Sequence, residues 1–248
     1  MENIFNRKII FLRKKRINFD NSLFLKIEEM ILDDILDYFL IFGNLEKIKK
    51  ILLLNSESRM INYINSNIFK NMEIINFDFP ENDLDGIKQF NELPKKDLIV
   101  GINSFHNVNY LGKYLQSANN CLSGGGTFCG NLFGVGNLSE LKKIIIKNDA
   151  EFSKNIYPRF NPTVSPESIS MLLQQSGFRD IVISPEKINF EFNSKNALND
   201  AMDFLKNTNE RNYFSQMQKG VPSRKIFLDN ISENIILDFD IIKFYCRK

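Results

Sequence analysis

Apolar residues first fall into a regular rhythm between Ser22 and Phe42, where Leu23, Phe24, Ile27, Met30, Ile31, Ile35, Tyr38 and Phe39 recur at three- and four-residue steps. That period buries one face of an α-helix, and Ser22 stands where a cap belongs and Gly43 where a helix ends, so the spacing predicts a helix here. The rhythm then changes. Lys49 to Leu54, Glu73 to Phe77 and Asp97 to Ile102 are short apolar runs, and Thr127 to Phe133 is a further one behind Ser123-Gly124-Gly125-Gly126. Runs without polar alternation suit strands covered on both faces, and their alternation with helical segments predicts a parallel α/β sheet.

The second half carries clearer punctuation. Ser165 precedes Pro166 and Glu167, Leu172 and Leu173 supply a buried side, and Gly177 closes the segment, which predicts another helix. A second one is expected from Ser194 through Ala197, Leu198, Ala201, Met202 and Leu205. Between them Ile181 to Ile183 and Ile188 to Phe192 alternate as strands do. Ile235 to Phe244 reads as a last strand, expected to pair with one near Lys225 to Leu228, so the chain should finish in antiparallel structure. The glycines at 124 to 126 precede a strand rather than a helix, which predicts a turn and not a phosphate cradle.

Composition narrows the class. Apolar residues are 43% and charged residues 25% of 248, the balance of an ordinary globular protein with one principal core. A net charge of +2, with basic and acidic residues interleaved, gives no reason to expect nucleic acid. The run Arg13-Lys14-Lys15-Arg16 is most simply a solvated helix face. No apolar stretch approaches the ~20 residues of a membrane span, and no secretory pattern follows the basic start, so a cytoplasmic protein is expected. Cys121, Cys129 and Cys246 form no C-x-x-C pair; reduced, buried thiols are expected and no zinc site. The phenylalanine-rich segments, Phe77, Phe79, Phe128 and Phe133 among them, read as core. The many Asn, Ile and Lys residues suggest an AT-rich genome, which lowers the weight of any single asparagine.

Several phrases in collinear order resemble one family. Ile4-Phe5-Asn6-Arg7 before the basic run resembles its opening segment. Asn91-Glu92-Leu93-Pro94 with Asp97-Leu98-Ile99-Val100 resembles its acidic-Leu-Pro turn and fourth strand, and Ser104-Phe105-His106-Asn107-Val108-Asn109 the Leu-His-Trp-Val-Asn phrase that follows. Leu122 to Phe128 is similar to the turn into its fifth strand, and Asn131 to Lys142 to its Gly-x-x-Thr-Leu-x-Glu-Leu-Arg stretch. Pro158-Arg159-Phe160-Asn161-Pro162 and Leu172-Leu173-Gln174-Gln175-Ser176-Gly177-Phe178 match a subgroup's Pro-Arg-x-x-Pro and Leu-Leu-Gln-Arg-Ala-Gly-Phe. The family is that of class I S-adenosylmethionine-dependent methyltransferases. The subgroup holds the complex I assembly factor that hydroxylates an arginine, beside the malonyl-acyl-carrier-protein methyltransferase of biotin synthesis.

The resemblance implies a Rossmann-like fold in a single domain over 1–248: a helical segment at 1–45, then a core over 46–248 with a helical insertion near 150–215. It also implies S-adenosylmethionine as cofactor and a respiratory complex subunit as a possible protein partner; the alternative is an active enzyme on a malonyl thioester. One departure governs the reading. The family ends its first strand in an acidic residue and Gly-x-Gly-x-Gly, whose amides receive the methionyl carboxylate. Here Leu53 stands at the acidic position, and Asn55, Glu57 and Arg59 at the glycines, with Ser56 between the first two.

Asn55 tolerates a left-handed turn. Glu57 sets a carboxylate against a carboxylate, whereas Arg59 on a rerouted loop would receive one. Strain of roughly 1 to 3 kcal/mol per misplaced residue removes ~3 to 4 kcal/mol. Taken from the about 8 kcal/mol of a micromolar complex, that leaves roughly millimolar binding. By the same resemblance Asp78 takes the ribose, or is a solvated loop residue. Asn91, with Glu92 beside it, takes the adenine, or is a turn residue. Ser104 and His106 lie past the strand end at the cofactor. His106 is the sole histidine, so any imidazole chemistry must use it, though a packed position is the plainer reading.

Overall fold

The computed structural model describes residues 4–8, 10, 22–42, 47–56, 61–62, 64, 72–153, 160–193 and 234–248. Helix α1 (Ser22–Phe42) is followed by β1 (Lys50–Leu54), β2 (Glu73–Phe77), α2 (Asp83–Asn91), β3 (Lys96–Gly101), α3 (Leu111–Cys121) and β4 (Leu122–Phe133). Then come α4 (Ser139–Ser153), α5 (Pro166–Gln175), β5 (Arg179–Asn193) and β6 (Asn234–Arg247). The strands form one sheet in the order β2-β1-β3-β4-β6-β5. The first four are parallel, and β6 runs antiparallel to both of its neighbours.

The apolar runs are explained by two covered faces. Ile51, Leu53, Leu98, Val100 and Cys129 pack with Ile31, Leu32 and Ile35 of α1 and Leu141 and Ile145 of α4. The alternate residues Leu52, Leu54, Ile99 and Phe128 pack on the other side with Phe90 of α2, Tyr114 and Leu115 of α3 and Leu173 of α5. Each of these runs thus sends successive side chains into different cores, and Ile51 to Leu54 of β1 and Leu98 to Val100 of β3 hold no polar residue. Helix α1 is also held through Lys243 of β6, buried between Asp34 of α1 and Glu186 of β5, the latter at 2.6 Å.

Three features depart from expectation. Ser123 to Gly126 do not form a free turn. They lie inside β4, where Leu122 pairs with Lys96 and Thr127 with Leu98, so the surplus residues bulge outward with Gly125 at φ 74°. The two strands expected over residues 181–192 are one, β5, which pairs with β6 from Arg179 to Asn193. The expected helix from Ser194 and the strand near Lys225 lie outside the described residues. Finally, β3 corresponds to the strand the resemblance calls the fourth. Residues 78–95 are all described, and they hold α2 but no intervening strand.

Candidate active site

In this strand order the chain turns back between β1 and β3, and the crevice outside the carboxyl ends of such strands is where α/β sheets bind ligands. Asn55 is the first residue past β1 and adopts φ 52°. Its backbone N–H donates to the Phe77 carbonyl at 3.0 Å, and its Oδ1 accepts from the Phe79 amide at 2.7 Å. Nδ2 donates to the Ser104 carbonyl at 3.3 Å. In return the Ser104 hydroxyl lies 2.6 Å from the Leu54 carbonyl and 2.9 Å from that of Ile102. The ends of β1, β2 and β3 are therefore laced together across the crevice. Beside them the Ser56 amide donates to Asn76 Oδ1 at 3.0 Å, and Asn76 Nδ2 donates to Asp78 Oδ1 at 3.2 Å.

A second polar group lies past β3 and β4. The Asn103 amide donates to Asn131 Oδ1 and Asn131 Nδ2 to Asn103 Oδ1, both at 2.8 Å. His106 Nε2 sits 3.3 Å from the same Asn103 oxygen, and its ring stacks on Phe133 at 4.3 Å. Burial drives the imidazole down from an ordinary 6.5 to about 3, so it is neutral across the physiological range. Next to it Asn161 Nδ2 donates to Asn107 Oδ1 at 2.6 Å.

The opening segment is clasped to the same rim. The Phe5 amide donates to Asn109 Oδ1 at 2.7 Å, and Arg7 reaches the carbonyls of Asn107 at 3.2 Å and Pro80 at 3.3 Å. Arg7 Nε makes a charge contact with Asp83 Oδ1 at 3.2 Å. Asp83 also accepts from Asn109 Nδ2 at 2.8 Å and from the Tyr114 hydroxyl at 3.3 Å. These bonds join the loops after β2 and β3, on either side of β1.

Of the residues singled out by sequence, Asn55, Ser56, Asp78, Ser104 and His106 come to this rim. Glu57 and Arg59 lie outside the described residues. Asn91 and Glu92 do not reach it. Without a strand between β2 and β3, α2 descends antiparallel to the sheet and delivers them, exposed, to its opposite end, where Pro94 accepts from the thiol at the foot of α3. Sequence reasoning passed over Asn76, Asn103 and Asn131; in a chain rich in asparagine nothing set them apart. Among the described residues no cluster of His, Cys, Asp and Glu could hold a metal ion.

No family model matches the chain. Over 131 residues it is 28% identical to a protein of Rickettsia prowazekii (strain Madrid E) named as a candidate methyltransferase, a match covering 53% of this chain and 57% of that protein. The chain therefore spans little more than half the length of the curated relative it matches. In structure it is similar to a candidate methyltransferase from Bacillus halodurans, with a TM-score of 0.51, 11% identity, and coverage of 87% of this chain and 99% of that one. The fold is the class I methyltransferase fold.

A methyltransferase fold implies S-adenosylmethionine, whose carboxylate the loop after β1 would receive, and of that loop Asn55 and Ser56 are among the described residues. Both amides have partners, Asn55 N–H the Phe77 carbonyl and Ser56 N–H Asn76 Oδ1. Asn55 and Ser104 tie the ends of β1 and β3 together across the crevice.

Proposed function

We propose that this chain is a methyltransferase-fold protein with a degenerate cofactor loop, a relative of the complex I assembly factor that holds a respiratory complex subunit rather than transferring a methyl group. The observation behind this reading is the bridging of the β1–β3 crevice by Asn55 and Ser104. The collinear phrases from Asn91 to Phe178 favour the assembly-factor subgroup. Capture of the tagged chain from cells that make it together with respiratory complex I tests the idea. Co-purification of a complex I subunit is the expected result, and a clean capture without one contradicts it.

A second reading has one observation in its favour. Asn55 keeps, at φ 52°, the left-handed conformation a glycine would take, and Asp78 stands at the end of β2 where a ribose would be held. On that reading the chain methylates a malonyl thioester, with Arg59 on a rerouted loop receiving the cofactor's methionyl carboxylate. Growth of a biotin auxotroph on the expressed chain would establish it, and failure at strong expression removes it.

A further inference from the structure

At the end of the sheet away from the crevice, where the parallel strands begin, basic residues stand in a row. Lys49 and Lys50 lie at the start of β1, Lys95 just before β3, Arg247 and Lys248 at the end of the antiparallel β6, and Arg179 at the start of β5. Hydrogen bonds and register keep them together. The amides of Lys49 and Lys50 both donate to Asp97 Oδ2 at 3.0 Å, the Lys248 amide donates to the Gly126 carbonyl at 3.0 Å, and Arg179 is the cross-strand partner of Arg247. With neighbouring strands about 4.8 Å apart, the row from β1 to β5 is about 20 Å long. In a chain of net charge +2 such a row is a local feature, not general basicity.

Two contacts in the row set like charge against like. Arg179 and Arg247 stand opposite each other on neighbouring strands, a placement that destabilises a sheet, and Asp180 reaches only Arg247, at 3.8 Å. The ammonium groups of Lys95 and Lys248 both donate to the Asn120 carbonyl at the foot of α3, and burial, followed by the charge of Lys95, lowers the Lys248 pKa. One carbonyl cannot neutralise two cations. Nearby carboxylates do not relieve them: Glu73 is taken by the buried Lys96 at 3.2 Å, Asp97 by the two amides and the Ser123 hydroxyl, and Glu92 pairs with none of the row. Among the described residues Lys49, Lys50, Lys95, Arg179 and Lys248 form no ion pair. Between Lys95 and Lys248 the bulge of β4 leaves bare backbone, and a β-carbon on Gly124 would meet nothing within 4 Å.

We propose that this end of the sheet is a docking surface for an extended acidic protein segment, whose carboxylates lie along the row from Lys49 to Arg179. An extended segment rises about 3.3 Å per residue, so about six residues span it. Nucleic acid is a poorer match, because among the described residues no exposed large apolar side chain is aromatic and bases have no platform to stack on. A single file of charge also meets a line of carboxylates better than the plane of a bilayer. The surface lies opposite the crevice, so it stands whether or not a cofactor or a complex I subunit binds. A fluorescein-labelled hexaglutamate peptide, followed by anisotropy against the full chain, is the probe. Saturable binding that weakens as salt rises is expected. Lys49→Glu with Lys50→Glu should weaken it about tenfold, and Gly124→Glu, which sets a carboxylate where the backbone has room, should weaken it as well. Lys143→Glu with Lys187→Glu makes the same change of charge at exposed positions outside the row and should leave binding as it is. Four outcomes would each overturn the proposal: no saturable binding by the folded wild-type chain, no loss in either variant of the row, an equal loss in the Lys143 and Lys187 pair, or tighter binding of a uridine oligomer of equal charge or of phosphatidylserine vesicles.

Discussion

His106 and Asn55 show what single residues do in this chain. The imidazole stays neutral in the fold down to about 3, while an unfolded histidine takes up a proton near 6.5. Below pH 6.5 the unfolded state binds the extra proton, so stability falls as the pH drops from there toward 3. At pH 5 this amounts to about 2 kcal/mol. Denaturant titrations of the wild type and of His106→Gln should show that difference between pH 7 and pH 5, with the variant the flatter of the two; parallel pH profiles would count against a buried neutral ring. At Asn55, substitution by alanine removes both side-chain bonds and leaves a β-carbon in a left-handed turn. A loss of about 2 to 3 kcal/mol is expected by chemical denaturation. From the sequence, the position of Asn55 and its turn conformation were legible, because strand ends and left-handed preference are local. Its partners Phe79 and Ser104 were not, since they depend on how three strands stack.

At the scale of elements, capping crosses from one to another. Helix α4 begins behind Leu138, at φ 55°, and its first amides are held by a strand: Ser139 N–H donates to Asp238 Oδ2 at 2.9 Å and Glu140 N–H to Asp238 Oδ1 at 3.1 Å. Asp240, two residues on in β6, accepts from the Gly136 amide at 2.8 Å. Asp238→Ala should cost about 1 to 2 kcal/mol, the worth of a cap, in urea titrations. Gly134→Ala should cost about as much or more, because its β-carbon would stand 2.5 Å from an Asp240 carboxylate oxygen. No sequence pattern announces such a cap, as Asp238 lies about a hundred residues from the helix it serves. By contrast α5 was readable in full: Ser165 caps it, Pro166 opens it and Gly177, at φ 90°, closes it, all within a dozen residues. Asn91 and Glu92 mark the limit of phrase matching. A phrase survives in the sequence even where the strand before it is absent, and its residues then land at the wrong end of the sheet.

For the whole molecule, the two covered faces follow from the apolar runs and their alternation with helical segments, and the Rossmann-like fold was implied by the collinear phrases, which is why the fold was the most legible part. Among the described residues no helix is long and apolar enough to cross a membrane. Cys121, Cys129 and Cys246 are free and buried, and burial raises each thiol. A thiol reagent such as dithionitrobenzoate should therefore find none in the native chain and 3 after denaturation, the full complement of the sequence; rapid native labelling would contradict the packing of the sheet. The central claim concerns the crevice between β1 and β3. Titration calorimetry of the full chain with S-adenosylhomocysteine tests it most directly. A bridged crevice is expected to give no saturable heat below about 1 mM ligand, whereas a dissociation constant in the micromolar range would contradict it.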